Sequence, residues 1–151
     1  PRPSGQAAEQ RMALRAAALL GLTEPGGLVV LAGAWAACAD ELLGMVDGVQ
    51  LLALDFAPGT ESGGALSLAR IANVLPLAAG CARGIALDLE HSTESLLGGA
   101  ATALAPGGRL IAPALAPVPP MLRELARDER HWVAARNTEN VSAPVRIAPR
   151  R

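Results

Sequence analysis

The stretch from Gly26 to Leu42, GGLVVLAGAWAACADEL, sets the tightest limit on what this chain can become. Leu28 to Ala32 is apolar at every position, without the polar alternation of a strand that faces water on one side. Such a run is expected of a strand covered on both faces, as in a parallel sheet. Gly33 supplies the turn, and Ala36 to Leu43 has helix-forming composition. A strand that turns at a glycine into a helix is where α/β proteins cradle a nucleotide or related cofactor. Here the turn reads Gly33, Ala34, Trp35, Ala36, Ala37, so most of the glycines that would let a ligand lie against the backbone are missing.

The rest of the chain repeats the same alternation. Ser4 can cap a helix over about residues 6–20, with Gly21 as its stop. Second and fourth strands are predicted over Val49–Asp55 and Gly84–Leu89, and a fifth over Arg109–Pro113. Ser62 to Arg70 reads as a weak helix, since Gly63 and Gly64 lie in it, and Ala69 to Val74 as a poorly marked third strand. Ser92 or Thr93 can cap a helix with Leu96, Leu97, Ala100, Ala101 and Leu104 inward, closed by Ala105 to Gly108. Pro119 or Pro120 is expected to open a helix to about Arg130. His131–Arg136 and Pro144–Ala148 then read as a terminal antiparallel hairpin over about 131–148, because their polar loop is too short for a helical crossover. Five strand–helix alternations followed by a hairpin imply a mostly parallel sheet covered on both faces, with an antiparallel edge.

Composition agrees with one globular domain spanning 1–151. It is 51% hydrophobic and 18% charged, which separates it from disordered chains. Trp35, Phe56 and Trp132 are its only aromatics, so alanine, leucine and valine must fill the interior. The formal net charge of −1 supplies no field for nucleic acid or an anionic membrane. Cys38 and Cys81 stand far apart in sequence, with no paired spacing, and read as reduced thiols of a cytoplasmic protein. The longest uncharged run, Pro25 to Ala39, is shorter than the roughly 18 apolar residues of a membrane helix. Pro1 is not a natural start, so residues are expected to precede it, and no signal peptide is visible in the remainder.

The layout and its connecting residues resemble the class I S-adenosylmethionine-dependent methyltransferases over nearly the whole chain. Leu104 to Ile111, LAPGGRLI, is similar to the family's "LkPGGrLv" helix-to-strand junction. Val30, Leu31 and Gly33, followed by Leu51 to Asp55, look like its first two strands. Asn73 to Leu77 and Gly84 to Asp88 resemble the stretch around the third and fourth. The resemblance implies a Rossmann-like three-layer sandwich with a seven-stranded, mostly parallel sheet and an antiparallel last strand. It also implies cofactor positions, and these match unevenly. Of the family's three turn glycines only Gly33 is kept; Trp35 and Ala37 stand at the other two, and Leu31 replaces an acid on the first strand. Asp55 matches the carboxylate that holds the ribose hydroxyls, and Asn73 stands where an acid commonly meets the adenine amine.

Trp35 decides between the readings. An indole in place of glycine fills the volume of a ligand fragment, unless it points into the core and leaves the site open. The first case implies a methyltransferase-like domain that binds no cofactor and serves as a scaffold or subunit, with a protein partner or a second copy of itself. The family's usual substrate-capping elements also have no obvious room here. The second case implies an active S-adenosylmethionine-dependent methyltransferase acting on a small molecule. A nucleotide-binding module without catalysis is a third reading, though the same turn would have to serve it. Asp88 and Glu90, with His91 next to them, can supply a general acid or base at the substrate edge, or can simply be a solvated strand end. His91 and His131 lack the spaced partners of a metal site. Arg146, Arg150 and Arg151 form a small basic tail that reads as solvated terminus.

Overall fold

The apolar run Leu28–Ala32 becomes a strand whose side chains alternate between two separate cores. Val29 and Leu31 face one, Val30 and Ala32 the other, and all four are fully buried. This is the reason the run has no polar position. The computed structural model describes residues 3–55, 66–69 and 77–137. Its strands are β1 (Leu28–Ala32), β2 (Gln50–Leu54), β3 (Leu66–Ala69), β4 (Ala82–Ala86), β5 (Leu104–Pro113), β6 (Leu122–Arg127) and β7 (His131–Arg136). Its α-helices are α1 (Pro3–Leu20), α2 (Ala39–Met45) and α3 (Glu94–Ala103).

The seven strands form one sheet in the order β3-β2-β1-β4-β5-β7-β6. The pairings from β3 through β5 are parallel, and β7 runs antiparallel to both of its neighbours. One core packs α1 and α2 on the sheet through Ala13, Ala16, Leu20 and Leu42, and the other packs α3 through Leu96, Leu97, Ala100 and Ala101. The expected three-layer, mostly parallel α/β sandwich is therefore the observed architecture. The strand order reverses at β1, which has β2 on one side and β4 on the other. Open α/β sheets bind ligands in the crevice at such a reversal, outside the carboxyl ends of the strands.

The junction LAPGGRLI works by close approach. A Cβ on Gly108 would lie 2.9 Å from the carbonyl oxygens of Ala105 and Ala82, so only glycine lets β5 run this close to β4. The register between the two strands shifts at this point, from Ala82 opposite Leu104 to Gly84 opposite Arg109. Strand β5 thus begins at Leu104, five residues before the predicted start. Arg136 from β7 donates to the carbonyls of Thr102 (3.1 Å) and Leu104 (2.6 Å), satisfying acceptors at the end of α3. Trp132 is 1% exposed, and its indole N–H donates to the Ala116 carbonyl at 2.7 Å.

Several local expectations are corrected. The helix predicted from Pro119 or Pro120 to Arg130 is instead strand β6 and the turn that leads into β7. Its residues are helix formers, but pairing with β7 outweighs that small preference. The weak helix over 62–70 is replaced at 66–69 by β3, which ends at Ala69, where the expected third strand (69–74) begins; residues 62–65 and 70–74 lie outside the described ones. Strand β4 starts and ends earlier than 84–89, which leaves Asp88 beyond its end. Helix α1 begins at Pro3, so Ser4 lies within its first turn and is not its cap. Strand β7 has the predicted bounds and forms its hairpin with β6, while 144–148 lies outside the described residues. No described helix is long and apolar enough to cross a membrane.

Of the two caps proposed for α3, Thr93 is the one used. Its hydroxyl accepts from the Leu96 N–H at 3.2 Å, whereas the Ser92 hydroxyl donates to the Asp88 carbonyl at 2.7 Å. Thr93→Ala should therefore lower unfolding stability by about 1 kcal/mol in urea titration. Ser92→Ala should leave the helix cap intact and cost less.

Candidate functional site

Three strand ends converge at the reversal of the sheet, and one carboxylate joins them. Asp88 follows β4 and caps a short 3-10 turn, Leu89–His91, by accepting from the His91 N–H at 3.2 Å through Oδ1. Its Oδ2 accepts from the Ala34 N–H at 2.9 Å, in the turn after β1. Gly33 makes this possible. Its φ is +61°, and a Cβ there would lie 1.9 Å from Asp88 Oδ2. The glycine that was expected to let a ligand approach the backbone lets Asp88 approach it.

His91 continues the chain of contacts from β4 to β2. Its Nδ1 lies 2.5 Å from Asp88 Oδ1 and its Nε2 lies 2.7 Å from Asp55 Oδ2. The ring is buried, with 6% of the residue exposed. Burial alone would lower its pKa, but the hydrogen bonds to Asp88 and Asp55 outweigh it and hold the pKa above 6.5. An imidazolium donates from both nitrogens, which suits a ring held between two carboxylates. Asp55 itself has a φ of +51°, a left-handed backbone that Asp tolerates better than bulkier residues. A cavity of about 460 Å³ lies over this group, walled by Gly33, Ala34, Asp55, Asp88, Glu90 and His91.

A second cavity, of about 760 Å³, shares Ala34 and Asp88 with the first and opens toward α1 and the β6–β7 turn. Trp35 belongs to its wall and not to the Asp55 cavity, so the expectation that its indole fills the cofactor space is corrected: the side chain turns into the core instead. The turn after Gly33 is a 3-10 helix to Cys38, with Trp35 5% exposed in the core beneath α1 and α2. Its indole meets the His131 ring at 5.3 Å between centroids, tilted by 53°. The Cys38 thiol donates to the Trp35 carbonyl at 3.2 Å, and burial, with the nearby Glu41 charge, pushes its pKa up to about 12. That thiol is inert at neutral pH.

His131 is the opposite of His91. Burial, the Arg15 charge and the Arg130 charge depress its pKa, against a smaller opposing pull from Asp128. Arg15 Nη2 lies 3.3 Å from His131 Nδ1 and 2.7 Å from Asp128 Oδ2. A guanidinium only donates, so Nδ1 is the unprotonated nitrogen and the ring proton sits on Nε2.

Among the predicted site residues, Gly33 and Asp55 come together around one cavity, Trp35 lines the neighbouring one, and Asn73 lies outside the described residues. The part missed from sequence is the bridging role of His91. The D-x-x-H spacing of Asp88 and His91 after a buried strand carried the signal, since a carboxylate that caps a single turn meets the residue three places on. Among the described residues, no three His, Cys, Asp or Glu side chains are grouped to hold a metal.

No protein-family model matches the chain, and no curated protein matches it. Solved structures do. A provisionally assigned S-adenosyl-L-methionine-dependent methyltransferase of Methanococcus maripaludis superposes with a TM-score of 0.63 at 10% identity, over 91% of this chain and 89% of that one. Geranyl diphosphate methyltransferase in complex with S-adenosylmethionine gives 0.55 at 13%, over 68% and 48%. The complex of the Haloferax volcanii Trm112 methyltransferase activator with its methyltransferase gives 0.50 at 20%, over 70% and 55%. The chain thus spans about half the length of the last two. Together with the strand order, these matches show the class I S-adenosylmethionine-dependent methyltransferase fold.

His91 should titrate above 6.5 and His131 below it in NMR spectra of the ring protons. Because the folded-state pKa of His91 is raised, its contribution to stability is fully present below about pH 6.5 and is lost as pH rises through the folded value. The stability difference between wild type and His91→Gln should shrink steadily from about pH 6.5 upward in urea melts.

Proposed function

We propose that this chain is a methyltransferase-fold domain that does not use a cofactor and serves as a scaffold or subunit of a larger assembly. One observation carries the reading: both groups that would recognise the cofactor are already engaged within the protein. The Ala34 N–H, in the turn where a ligand would be met by backbone donors, donates to Asp88. The Asp55 carboxylate, in the ribose position of the resemblance, is bonded to His91. A ligand there must break a charge-assisted hydrogen bond and leave a buried imidazole short of a partner, which costs more than losing an exposed contact. In this arrangement the residues do not fit S-adenosylmethionine.

Trp35 takes no part in this closure: its indole is buried in the core on the α1 side and does not line the Asp55 cavity, so the reading rests on Asp88 and His91 alone. Partnership with another protein draws support from Leu115 (87% exposed) and Met121 (46% exposed), apolar side chains in the connection between β5 and β6. The Haloferax volcanii neighbour, solved with an activator protein, offers a precedent for a partner on this fold. We place the domain in the cytoplasm, with no role in nucleic-acid binding.

The second reading is a small-molecule methyltransferase in which His91 swings aside and Asp55 takes the ribose. The open volume of about 460 Å³ over Asp55 favours it. Calorimetric titration with S-adenosylmethionine and with its demethylated product separates the two. No binding tighter than about 100 μM, or about −5.5 kcal/mol, is expected; tighter binding overturns the scaffold reading. His91→Ala, which removes the His91 hydrogen bond to Asp55, is expected to strengthen whatever residual binding exists. Light scattering should show self-association or, in pull-down from cells, a stoichiometric partner; a persistently solitary monomer overturns the assembly.

A further inference from the structure

The cavity of about 760 Å³ beside Trp35 has a charge pattern that the scaffold reading does not use. Arg11 and Arg15 stand four residues apart on α1 and face it together, and Arg130 reaches it from the β6–β7 turn. Like charges at that helical spacing repel, so two arginines there cost helix stability unless an anion lies between them. Arg15 is committed to Asp128 and His131. The side chains of Arg11 and Arg130 have no hydrogen-bond or ion-pair partner among the described residues.

The carboxylate in the wall is already engaged: Asp88 accepts at Oδ1 from His91 and at Oδ2 from the Ala34 N–H. Asp128, outside the lining, is paired with Arg15. Three guanidinium groups therefore line the cavity beside one carboxylate that is already bonded. His131, the remaining titratable group in the wall, is held toward its neutral form. The rest of the wall is apolar: Met12, Trp35, Leu89 and Pro113, with Leu89 63% exposed to water. A cavity of this size lined by hydrophobic and aromatic groups, with a few convergent cations, fits a small organic ligand. The planar fork of arginine matches a carboxylate or phosphate.

We propose that this cavity binds an organic oxyanion, a carboxylate or phosphate ester on an apolar body, with the anion between Arg11 and Arg130 and the body against Trp35. The two cavities share Ala34 and Asp88, but Arg11, Arg130 and Trp35 line only this one and Asp55 lines only the other, so the proposal is tested separately from the scaffold reading. The intact chain would be titrated by calorimetry and two-dimensional NMR with 2-naphthoate, 2-naphthyl phosphate and the neutral 2-naphthamide. At least one anion should bind about tenfold tighter than the amide or more, and should shift the indole N–H signal of Trp35 but not that of Trp132. Whichever anion binds tighter identifies the headgroup.

The double variant Arg11→Gln, Arg130→Gln removes two exposed charges and should lose about tenfold of that affinity. If it does not fold, the wild-type titration at about 0.5 M salt decides, because an electrostatic grip weakens under screening. Equal binding of amide and anions overturns the proposal, as does an unmoved Trp35 signal. So does unchanged affinity in the folded double variant, or in high salt where that titration decides. Titration with S-adenosylmethionine in the same variant reads the other site and keeps the two failures distinct.

Discussion

The Asp88 carboxylate is the interaction on which the functional end of this sheet depends. It stands beyond β4 and reaches across to the turn after β1, and through His91 it is joined to Asp55 beyond β2. Three adjacent strand ends are thereby tied by four polar groups, around a ring with only 6% exposure. In a low-dielectric setting such a network is strong when every member is satisfied and costly when one is not. The same geometry dictates a neighbour's identity: with φ at +61° and a carboxylate oxygen 1.9 Å from where a Cβ would sit, position 33 admits only glycine. A motif glycine has thus been kept for a purpose internal to the protein.

Fold was more legible than site, and the reason is physical. A strand buried on both faces has no choice but to be apolar, so β1 announces itself in one dimension, as do β2 after Gln50 and β4 around Arg83. The Pro-Gly-Gly of β5 is legible because backbone atoms 2.9 Å away forbid any side chain at Gly108. The edge strand β6 carries no such constraint. Of its six residues only Leu122 is buried, so Leu, Glu, Ala and Arg show their helical preference while β7 decides the structure. Likewise β3, four residues long, is too short to write a period into the sequence.

The site was legible in its parts but not in its connections. Asp55 and Gly33 mark their places through spacing from β1, whereas the bridge by His91 exists only once β2 and β4 lie on either side of β1. Two histidines in one small chain also take opposite protonation preferences, a difference invisible in sequence. His91 is framed by two carboxylates, His131 by two arginines and one aspartate. A fold of this kind hosts unrelated activities, and only such local arrangements say which one a chain retains.

Among the described residues, the two borders of the sheet bear on how this domain can meet others. At one side β6 presents Arg123, Glu124 and Arg127 to water, the last two locked in a fork-like pair with both contacts at 3.0 Å. At the other side β3 offers four residues of backbone. Charged or very short border strands are poor templates for a foreign strand, which protects a chain from fibril-like stacking. A larger assembly built on this domain would accordingly be joined through its helices and loops, with the hydrogen-bonded ribbon of strands left complete inside each copy.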